Sequence, residues 1–383
     1  MNVILLTTLT QLAGLRRPWN GLAEHAPFCS WDWLESWWRF YAESEVADSQ
    51  QRELYCLAVF DAAGELAGLA PWYLERSAPL GRVLRFLGSG SICTDYLTVL
   101  CRPGCEDQVT TALADALCGP EECPRAMRCR DWDLIELGAV DPQDATVGML
   151  LEKLSARDNA VHQRRGANCW RIALPQTWDD YLSMVSHSHR KQLRRLERRL
   201  DDAGRLSLHE ARTHAELFEG LELLVRLHRK RRRSLGEAGC FDDPQFMGFH
   251  TAAALRLFDR GKLRLAWLEL DGRPVAAEYQ ILGDEVVYAY QSGIEPEALQ
   301  HEPGRLIMMA TLKQAIAEGR RGFDFLRGDE SYKPHWRAQP RQMLEIRVAP
   351  ATSVSRLRHK LWKSSDTMKH WIKTGLTLSG LRS

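Results

Sequence analysis

The sequence lacks a long apolar run. No stretch of its 383 residues approaches the roughly 18 apolar residues that a membrane-spanning helix requires. The first residues, MNVILLTTLTQL, have neither the basic start nor the apolar core of a signal peptide, and we expect a first β-strand there. With 45% apolar and 26% charged residues, the composition predicts a globular, cytoplasmic protein.

The sequence also has almost no excess of charge of one sign. Its 51 Lys and Arg residues nearly balance 50 Asp and Glu residues, which leaves a net charge of +1. A near-neutral chain exerts little long-range attraction on polyanions, so we expect no nucleic-acid partner.

The ten cysteines form no metal-binding pattern. Eight lie in the first 130 residues, but the chain has no Cys-X2-Cys pair and no His at zinc-finger spacing. We therefore predict reduced thiols and no metal site. We also expect no permanently bound cofactor.

What the sequence does contain is one structural plan that occurs twice. Each half predicts a β-hairpin, a further strand, a helix and a last strand, which is typical of a mixed α/β (α+β) fold. In order, these elements are LYCLAVFDAAGELAGLAPWYLE, TDYLTVL, helix 106–118 and WDLIELG, and then KLRLAWLELDGRPVAAEYQIL, EVVYAYQSGI, helix 304–318 and FDFLRGD. The pattern predicts two similar units joined by a helical segment, with boundaries at 1–165, 166–350 and a basic tail at 351–383.

The helical segment carries two basic runs. Helices are predicted over 186–205, where Leu193, Leu196 and Leu200 recur at helical spacing, and over 214–234, which ends in RKRRRS. A solvated helix face and an anion-binding surface are both compatible with these runs. Few aromatic residues lie among the basic ones, which disfavours stacking on single-stranded nucleic acid.

The tail from 351 to 383 is basic, with Leu, Trp and Ile at near-helical spacing. We expect a closing helix that docks on the core. The alternative is a helix that lies on an anionic membrane surface, which would place the protein at the periphery of the inner membrane.

Polar residues on the second hairpin predict one wall of a site. Strand alternation puts Glu278 and Gln280 on one face, and either a wet cleft or an exposed edge strand explains them. By the same alternation, Tyr288, Tyr290 and Ser292 share a face of the next strand.

A helix start follows that strand. Pro303 and Gly304 precede or begin the helix, and Arg305 falls in its first turn. Helix N-termini carry unpaired N–H groups and a partial positive charge, so this start is either an ordinary capped end or a phosphate site.

The segment FDFLRGDESYKPHW contains more charge than a surface turn needs. It places Asp324, Arg327, Asp329, Glu330, Tyr332 and Lys333 in and after one strand. Because ligands of α/β sheets gather at strand ends, we expect a site here, with Trp336 as a packing anchor.

These same segments carry a resemblance. From about Ser186 to Trp336, RLAWLELDGRPVAAEYQIL, YAYQSGIEPEALQHEPGRLIMMATLKQAIAEG and FDFLRGDESYKPHW resemble the acetyltransferase domain of the cellulose-biosynthesis (CelD/BcsL-like) group. That group belongs to the GNAT superfamily and is close to the FemAB-like transferases. One departure is that GIEP and EPG stand where the group has Gly-Phe-Asp-Pro and Ser-Pro-Gly.

The resemblance implies a tandem GNAT fold whose second unit transfers an acyl group from acyl-CoA, as co-substrate, to an amine or hydroxyl. It implies a role in envelope or exopolysaccharide biosynthesis and a first unit without catalytic function. For the donor, it implies Gly304 and Arg305 at the phosphates and Tyr290 and Ser292 along the pantetheine.

The implied chemistry needs a base, a proton donor and an acceptor site. Glu278, Asp329 and Glu330 are the candidate bases, and the basic neighbours of the latter two favour Glu278 as the base and Asp329 as an organiser. Tyr332 or Tyr290 is the candidate donor to the leaving sulfur. The acceptor-binding candidates are Asp324, Arg327, Glu330 and Lys333.

Two alternatives stay open. One is a FemAB-like reaction with aminoacyl-tRNA as the donor, and the other is a non-catalytic scaffold in a polysaccharide-synthesis complex.

Overall fold

The computed structural model describes residues 1–42, 52–78, 80–90, 92–118, 129–201 and 205–350. The strands are β1 (Asn2–Leu6), β2 (Arg52–Leu54), β3 (Cys56–Phe60), β4 (Leu66–Ala70), β5 (Trp72–Ser77), β6 (Gly81–Phe86), β7 (Leu100–Cys101), β8 (Leu134–Val140), β9 (Ala160–Ala173), β10 (Leu206–Glu210), β11 (Leu263–Leu270), β12 (Arg273–Leu282), β13 (Val286–Ile294), β14 (Gly322–Arg327) and β15 (Gln339–Ala349). The predicted closing helix and its docking or membrane contact lie outside the described residues.

The helices are α1 (Leu9–Ala13), α2 (Arg16–Leu22), α3 (Trp31–Tyr41), α4 (Glu106–Cys118), α5 (Ala145–Ser155), α6 (Trp178–Met184), α7 (His187–Asp201), α8 (His214–Ser234), α9 (Pro244–Asp259) and α10 (Pro303–Ala317). Within these ranges, none is both long and apolar enough to cross a membrane. The predicted helices at 106–118 and 214–234 are confirmed to the residue.

Local chemistry explains the clearest elements. The turn between β11 and β12 places Asp271 and Gly272 at φ 51° and 74°, the left-handed values that a tight Asp-Gly hairpin requires. The start of α8 is a capping box, in which Thr213 and Glu216 satisfy each other's backbone N–H groups. Both the hairpin and the helix start are therefore encoded within a few residues.

The strands form two sheets. A small one has the order β1-β3-β4-β7, and an 11-stranded one has the order β10-β11-β12-β13-β14-β9-β15-β8-β6-β5-β2. The predicted first strand (β1) and both predicted hairpins (β3–β4 and β11–β12) are confirmed by these antiparallel pairings.

The duplicated plan appears as two strand–helix–strand units with parallel pairing. In the first unit, β6 pairs in parallel with β8, and α4 lies between them in sequence. In the second unit, β13 pairs in parallel with β14, and α10 lies between them.

One predicted strand of the first unit is wrong. In TDYLTVL, residues 94–99 are not a strand, and regular pairing is limited to β7. Cys93 and Tyr96 have left-handed backbones, at φ 52° and 59°, which an extended strand does not allow. This segment instead forms a loop that contacts the end of β14.

The two units exchange their last strands. β9 pairs with β14 of the second unit, and β15 pairs with β8 of the first, while β9 and β15 pair with each other from Ala160–Ala349 to Arg171–Gln339. The sheet therefore runs without interruption through the predicted boundary at residue 165, which lies within β9.

The aromatic helix α3 lies in a core that both units share. Trp33 is fully buried, its ring packs edge-on against Phe249 at 4.8 Å and Tyr290 at 5.3 Å, and its Nε1 donates to Thr94 Oγ1. The N-terminal tryptophans thus help to build the second unit.

We predict that Trp33→Ala lowers the free energy of unfolding by about 3–5 kcal/mol, because it leaves a large cavity between the units. Urea denaturation measures this. Phe218→Ala is the matched control, since Phe218 is 44% exposed and its loss is expected to cost less than about 1 kcal/mol. Equal effects of the two changes would contradict a shared core.

Candidate functional site

A cavity of about 840 Å³ opens on the second unit. Its walls come from the first turns of α7, the end of β13, the start of α10 and the loop after β14. Five predicted site residues line it, namely Glu278, Ser292, Gly304, Arg305 and Tyr332. The structure therefore brings five of the predicted site residues together around one cavity, whose other lining residues were not predicted.

The cavity exists because β13 and β14 separate. They pair for three residues only, from Val286–Gly322 to Tyr288–Asp324, whereas β13 stays paired with β12 as far as Ile294. The last residues of β13, Ser292 to Ile294, consequently have a backbone edge that is not paired with β14, and these residues line the cavity.

A β-bulge in β13 shows that the predicted shared face of Tyr290 and Ser292 is wrong. The register shifts between Tyr279 and Gln280, so that Tyr290 is an extra residue opposite that step and Ser292 pairs with Glu278. Ser292 therefore faces the cavity with Glu278, whereas Tyr290 points to the other side. There its ring contacts those of Trp33 and His250, and its hydroxyl donates to the carbonyl of Ile92.

Glu278 lies at the floor of the cavity. It is only 1% exposed on β12, which is an inner strand of the sheet, so the edge-strand explanation is wrong. Its Oε2 accepts a hydrogen bond from Thr311 Oγ1 at 3.0 Å. Burial raises the pKa of its carboxyl group to about 7, although the hydrogen bond from Thr311, the nearby amide of Gln280 and the charge of Arg264 act to lower it. A carboxyl group that titrates near neutral pH suits a general base.

The start of α10 forms the opposite wall. Pro303 has no N–H group, and the N–H groups of Arg305 and Leu306 donate to the carbonyl of Glu302. Gly304 is thus the residue of this turn whose N–H faces no backbone acceptor among the described residues. The Arg305 guanidinium donates to Glu302 Oε1 at 2.8 Å and to Gln192 Oε1 at 2.7 Å, which holds it at the rim.

Two aromatic residues after β14 complete the cavity. Tyr332 is 46% exposed, and its ring packs edge-on against Phe325, which leaves it at the cavity surface. Trp336 is buried, as predicted, and its ring contacts that of His189 on α7. Burial, with the nearby charges of Arg305 and His335, lowers the pKa of His189 below its usual value.

Lys333 does not line the cavity. It is 1% exposed, and its Nζ donates to the carbonyls of Leu326, Arg327 and Gly328 at 3.2, 3.1 and 2.8 Å. Leu326 and Gly328 have φ values of 57° and 116°, so β14 ends in a tight turn around this ammonium group. The structure therefore places Lys333 where it stabilises the strand end rather than where it would touch a ligand.

Asp324 and Arg327 also lie outside the cavity, at the contact between the units. Tyr96 donates a hydrogen bond to Asp324, which is fully buried and whose pKa burial raises to about 6. The Arg327 side chain donates from Nε to Asp95 Oδ1 at 2.8 Å and from Nη2 to the carbonyl of Thr94 at 3.0 Å. Both residues therefore attach the first unit's loop to β14.

Asp329 and Glu330 belong to the same strand end. Asp329 accepts hydrogen bonds from Asn168 Nδ2 at 3.0 Å and Trp170 Nε1 at 2.9 Å, which tie the turn to β9 and lower the pKa of its carboxyl group. Glu330 pairs with Lys333 at 2.8 Å. Asp324, Arg327, Asp329, Glu330 and Lys333 thus form a connected structural network beside the cavity.

Sequence reasoning missed the α7 wall. Ser188, His189 and Gln192 line the cavity, and Thr311 donates to Glu278. Ser188, His189 and Gln192 were not predicted because the basic residues around them indicated a solvated helix face. The contact between Thr311 and Glu278 could have been predicted, because Thr311 is a lone hydroxyl on an otherwise apolar face of α10.

Three of the six Lys and Arg residues of α7 form ion pairs within the protein, two of them with the same carboxylate. Arg195 and Arg199 pair with Glu302, and Arg194 pairs with Asp179 at 3.2 Å. Among the described residues, no group of three or more His, Cys, Asp or Glu side chains is placed to hold a metal ion.

Comparisons with known proteins agree with this architecture. Residues 187–334 match the family model described as an acetyltransferase (GNAT) domain. The match contains α7, α10, β14 and the cavity-lining Glu278, Ser292 and Tyr332. No curated protein matches the chain in sequence.

Solved structures of low identity share the fold. FemX is 12% identical with a TM-score of 0.60, over 93% of this chain and 99% of that chain. A conserved protein of unknown function from Bacteroides thetaiotaomicron is 11% identical, with a TM-score of 0.52 over 91% and 100%. The C-terminal domain of a protein assigned as a lysylphosphatidylglycerol synthetase, from Agrobacterium fabrum, is 9% identical, with a TM-score of 0.50 over 92% and 96%.

Together, the family match and the fold confirm the predicted mixed α/β GNAT architecture and place an acetyltransferase-type domain in the second half. The likeness to FemX extends over nearly the whole chain, so it includes both units.

We predict that Lys333→Met lowers the free energy of unfolding by about 3 kcal/mol or more, because three carbonyl groups lose their common donor in a buried position. Lys191→Met, at an exposed position on α7, is the control, with an expected change within about 0.5 kcal/mol. Thermal and urea melts measure both. If the Lys333→Met protein melts like wild type, Lys333 is not a structural residue, and the acceptor-binding role predicted from the sequence is favoured again.

Proposed function

We propose that this protein is an acyltransferase that moves an acyl group from acyl-CoA to an amine or hydroxyl acceptor. The observation that carries the proposal is Glu278, a buried carboxylate in a cavity that also contains a helix N-terminus. A thioester is already activated, so the protein must mainly position two substrates and move one proton.

The donor fits the α10 side of the cavity. Phosphate groups would bind at Gly304 and the Arg305 guanidinium, where the helix dipole favours negative charge. The pantetheine would lie along the open side of β13 at Ser292, where a strand edge lacks a partner. Tyr290, which the sequence assigned to this role, is not needed for it.

The acceptor fits the α7 side, between Glu278 and Tyr332. Its amine or hydroxyl would attack the thioester carbonyl carbon while Glu278 takes the proton from the nucleophile. The carbon–sulfur bond then breaks, and Tyr332 donates a proton to the leaving thiolate. The products are the acylated acceptor and free CoA.

We further propose a role in envelope or exopolysaccharide biosynthesis on the cytoplasmic side of the membrane. The resemblance of 186–336 to the cellulose-biosynthesis group supports this role. The fold shared with FemX and with a domain assigned to lysylphosphatidylglycerol synthesis agrees with it.

A second candidate is transfer from aminoacyl-tRNA, and the likeness to FemX over both units favours it. The net charge of +1 and the scarcity of aromatic residues among the basic residues of α7 weigh against it, because both reduce the attraction of the protein for a nucleic acid. The first candidate is preferred for this reason.

Calorimetry with acetyl-CoA and, separately, with bulk tRNA tests the choice of donor. We predict saturable acetyl-CoA binding that Arg305→Ala weakens by about 1.5–3 kcal/mol, the size of a charge-assisted hydrogen bond. Arg321→Ala is the control, because Arg321 is 77% exposed and lies beyond the other end of α10.

Binding of tRNA alone, with a steep salt dependence, would replace the acyl-CoA proposal with the second candidate. Binding of neither would favour the scaffold alternative.

We also predict that Glu278→Gln lowers the rate of CoA release by about 100-fold or more, the size expected for loss of a general base. The assay measures free thiol with a panel of amino sugars, amino acids and oligosaccharides as acceptors. The wild-type rate should rise with pH through about 7, since the base must be ionised, and this limb should be absent in Glu278→Gln.

Asp329→Asn, outside the cavity, is the carboxylate control and should keep most of the wild-type rate. Full activity of Glu278→Gln would exclude Glu278 as the base.

A further inference from the structure

A row of buried polar side chains runs beneath α10, from the cavity to Glu318 at the C-terminal end of that helix. Glu278, Gln280 and Arg264 are 1%, 0% and 4% exposed. Gln280 stands two residues after Glu278 on the same face of β12, and Arg264 on β11 is its direct cross-strand partner. Buried polar groups are costly unless they are paired, so such a row needs an explanation.

The outer end of the row is fixed by ion pairs. Arg264 pairs through Nη2 with Glu318 and lies 3.7 Å, from Nε to Oε2, from Glu210. Its Nη1 then donates to Gln280 Oε1 at 3.4 Å. The guanidinium is planar and held on two sides, so it determines which end of the Gln280 amide is the acceptor.

The inner end of the row meets Glu278. With Oε1 of Gln280 facing Arg264, Nε2 lies on the side of Glu278. Among the described residues, Gln280 Nε2 and Glu278 Oε1 are both buried, and neither has a hydrogen-bond partner. Thr311 already occupies the second carboxylate oxygen.

We propose that Gln280, held by Arg264, is a positioning residue that orients the Glu278 carboxylate in the cavity. Gln280 acts on one oxygen and Thr311 on the other, which fixes the plane of the carboxylate. The role of that carboxylate in catalysis rests on the proposed function, whereas its orientation by Gln280 does not.

The orientation has a consequence for protonation. An N–H donor stabilises the ionised carboxylate, so loss of the Gln280 amide should make Glu278 harder to ionise. The other groups that face Glu278 are Arg264 from β11, Ser292 from β13, Thr311 from α10 and Tyr332 from the loop. Replacement of Gln280 alone removes none of these groups, and Arg264 keeps its ion pair with Glu318.

The test measures the free energy of unfolding by urea between pH 4.5 and 9. Burial raises the folded-state pKa of Glu278, so its favourable contribution is present below the pKa of the unfolded chain and is lost as pH rises through about 7. The difference between wild type and Glu278→Gln isolates this titration. It requires neither a donor nor an acceptor.

We expect Gln280→Met to move the midpoint of this titration upward by about one pH unit, a tenfold change in the ionisation equilibrium. Each variant is compared with its own Glu278→Gln double mutant. Thr311→Val, which removes the other donor, should move the midpoint in the same direction. Gln314→Met is the control, because Gln314 donates to Glu210 and Glu318 at the outer end only.

A midpoint that stays in place in Gln280→Met while it moves in Thr311→Val would overturn the proposal, as would the absence of any Glu278 titration. If Gln280→Met does not fold, Gln280→Asn supplies the same measurement, since its shorter amide cannot reach both neighbours. Failure of acetyl-CoA to bind would reject the proposed function and leave this result intact.

Discussion

The strands β9 and β15 leave their own units and pair with each other in the middle of the large sheet. Each then forms its second edge with the other unit, β9 with β14 and β15 with β8. Each unit therefore depends on a strand from the other: β14 of the second unit pairs with β9, the last strand of the first, and β8 of the first unit pairs with β15, the last strand of the second. Long-range pairing of this kind is slow to form, but it makes the two units one cooperative structure.

The end of β14 is where this arrangement reaches the cavity. Lys333 gathers three carbonyl groups there, and the Asp95–Arg327 and Tyr96–Asp324 contacts attach the first unit's loop. The chain that leaves this point carries Tyr332 and Trp336 into the cavity wall. Among the described residues, the first unit thus contributes to the site by supporting one strand end, and its side chains do not line the cavity.

Features that depend on residues close together in sequence could be predicted, whereas features that depend on the pairing of distant segments could not. The Asp271-Gly272 hairpin and the Thr213 capping box are settled within a few residues, and both were predictable. Glu278 was identifiable because a carboxylate on an apolar strand needs a polar neighbour. The bulge at Tyr290 was not, because it depends on the pairing of β12 with β13. For Lys333, the sequence shows the charge but not the three carbonyl groups that bind it.

The two units also differ at the start of their corresponding helices. The helix α4, which corresponds in order to α10, begins with Glu106 and Asp107, and Glu106 accepts a hydrogen bond from the N–H of Gly104. Carboxylates at this position satisfy the free N–H groups and neutralise the positive end of the helix dipole. In α10 the first turn contains no acidic residue, and Glu302 before it is engaged by three arginines, namely Arg195, Arg199 and Arg305. An anionic donor is therefore favoured at α10 and disfavoured at α4. This asymmetry supports the proposal that the first unit contributes structure and the second contributes chemistry.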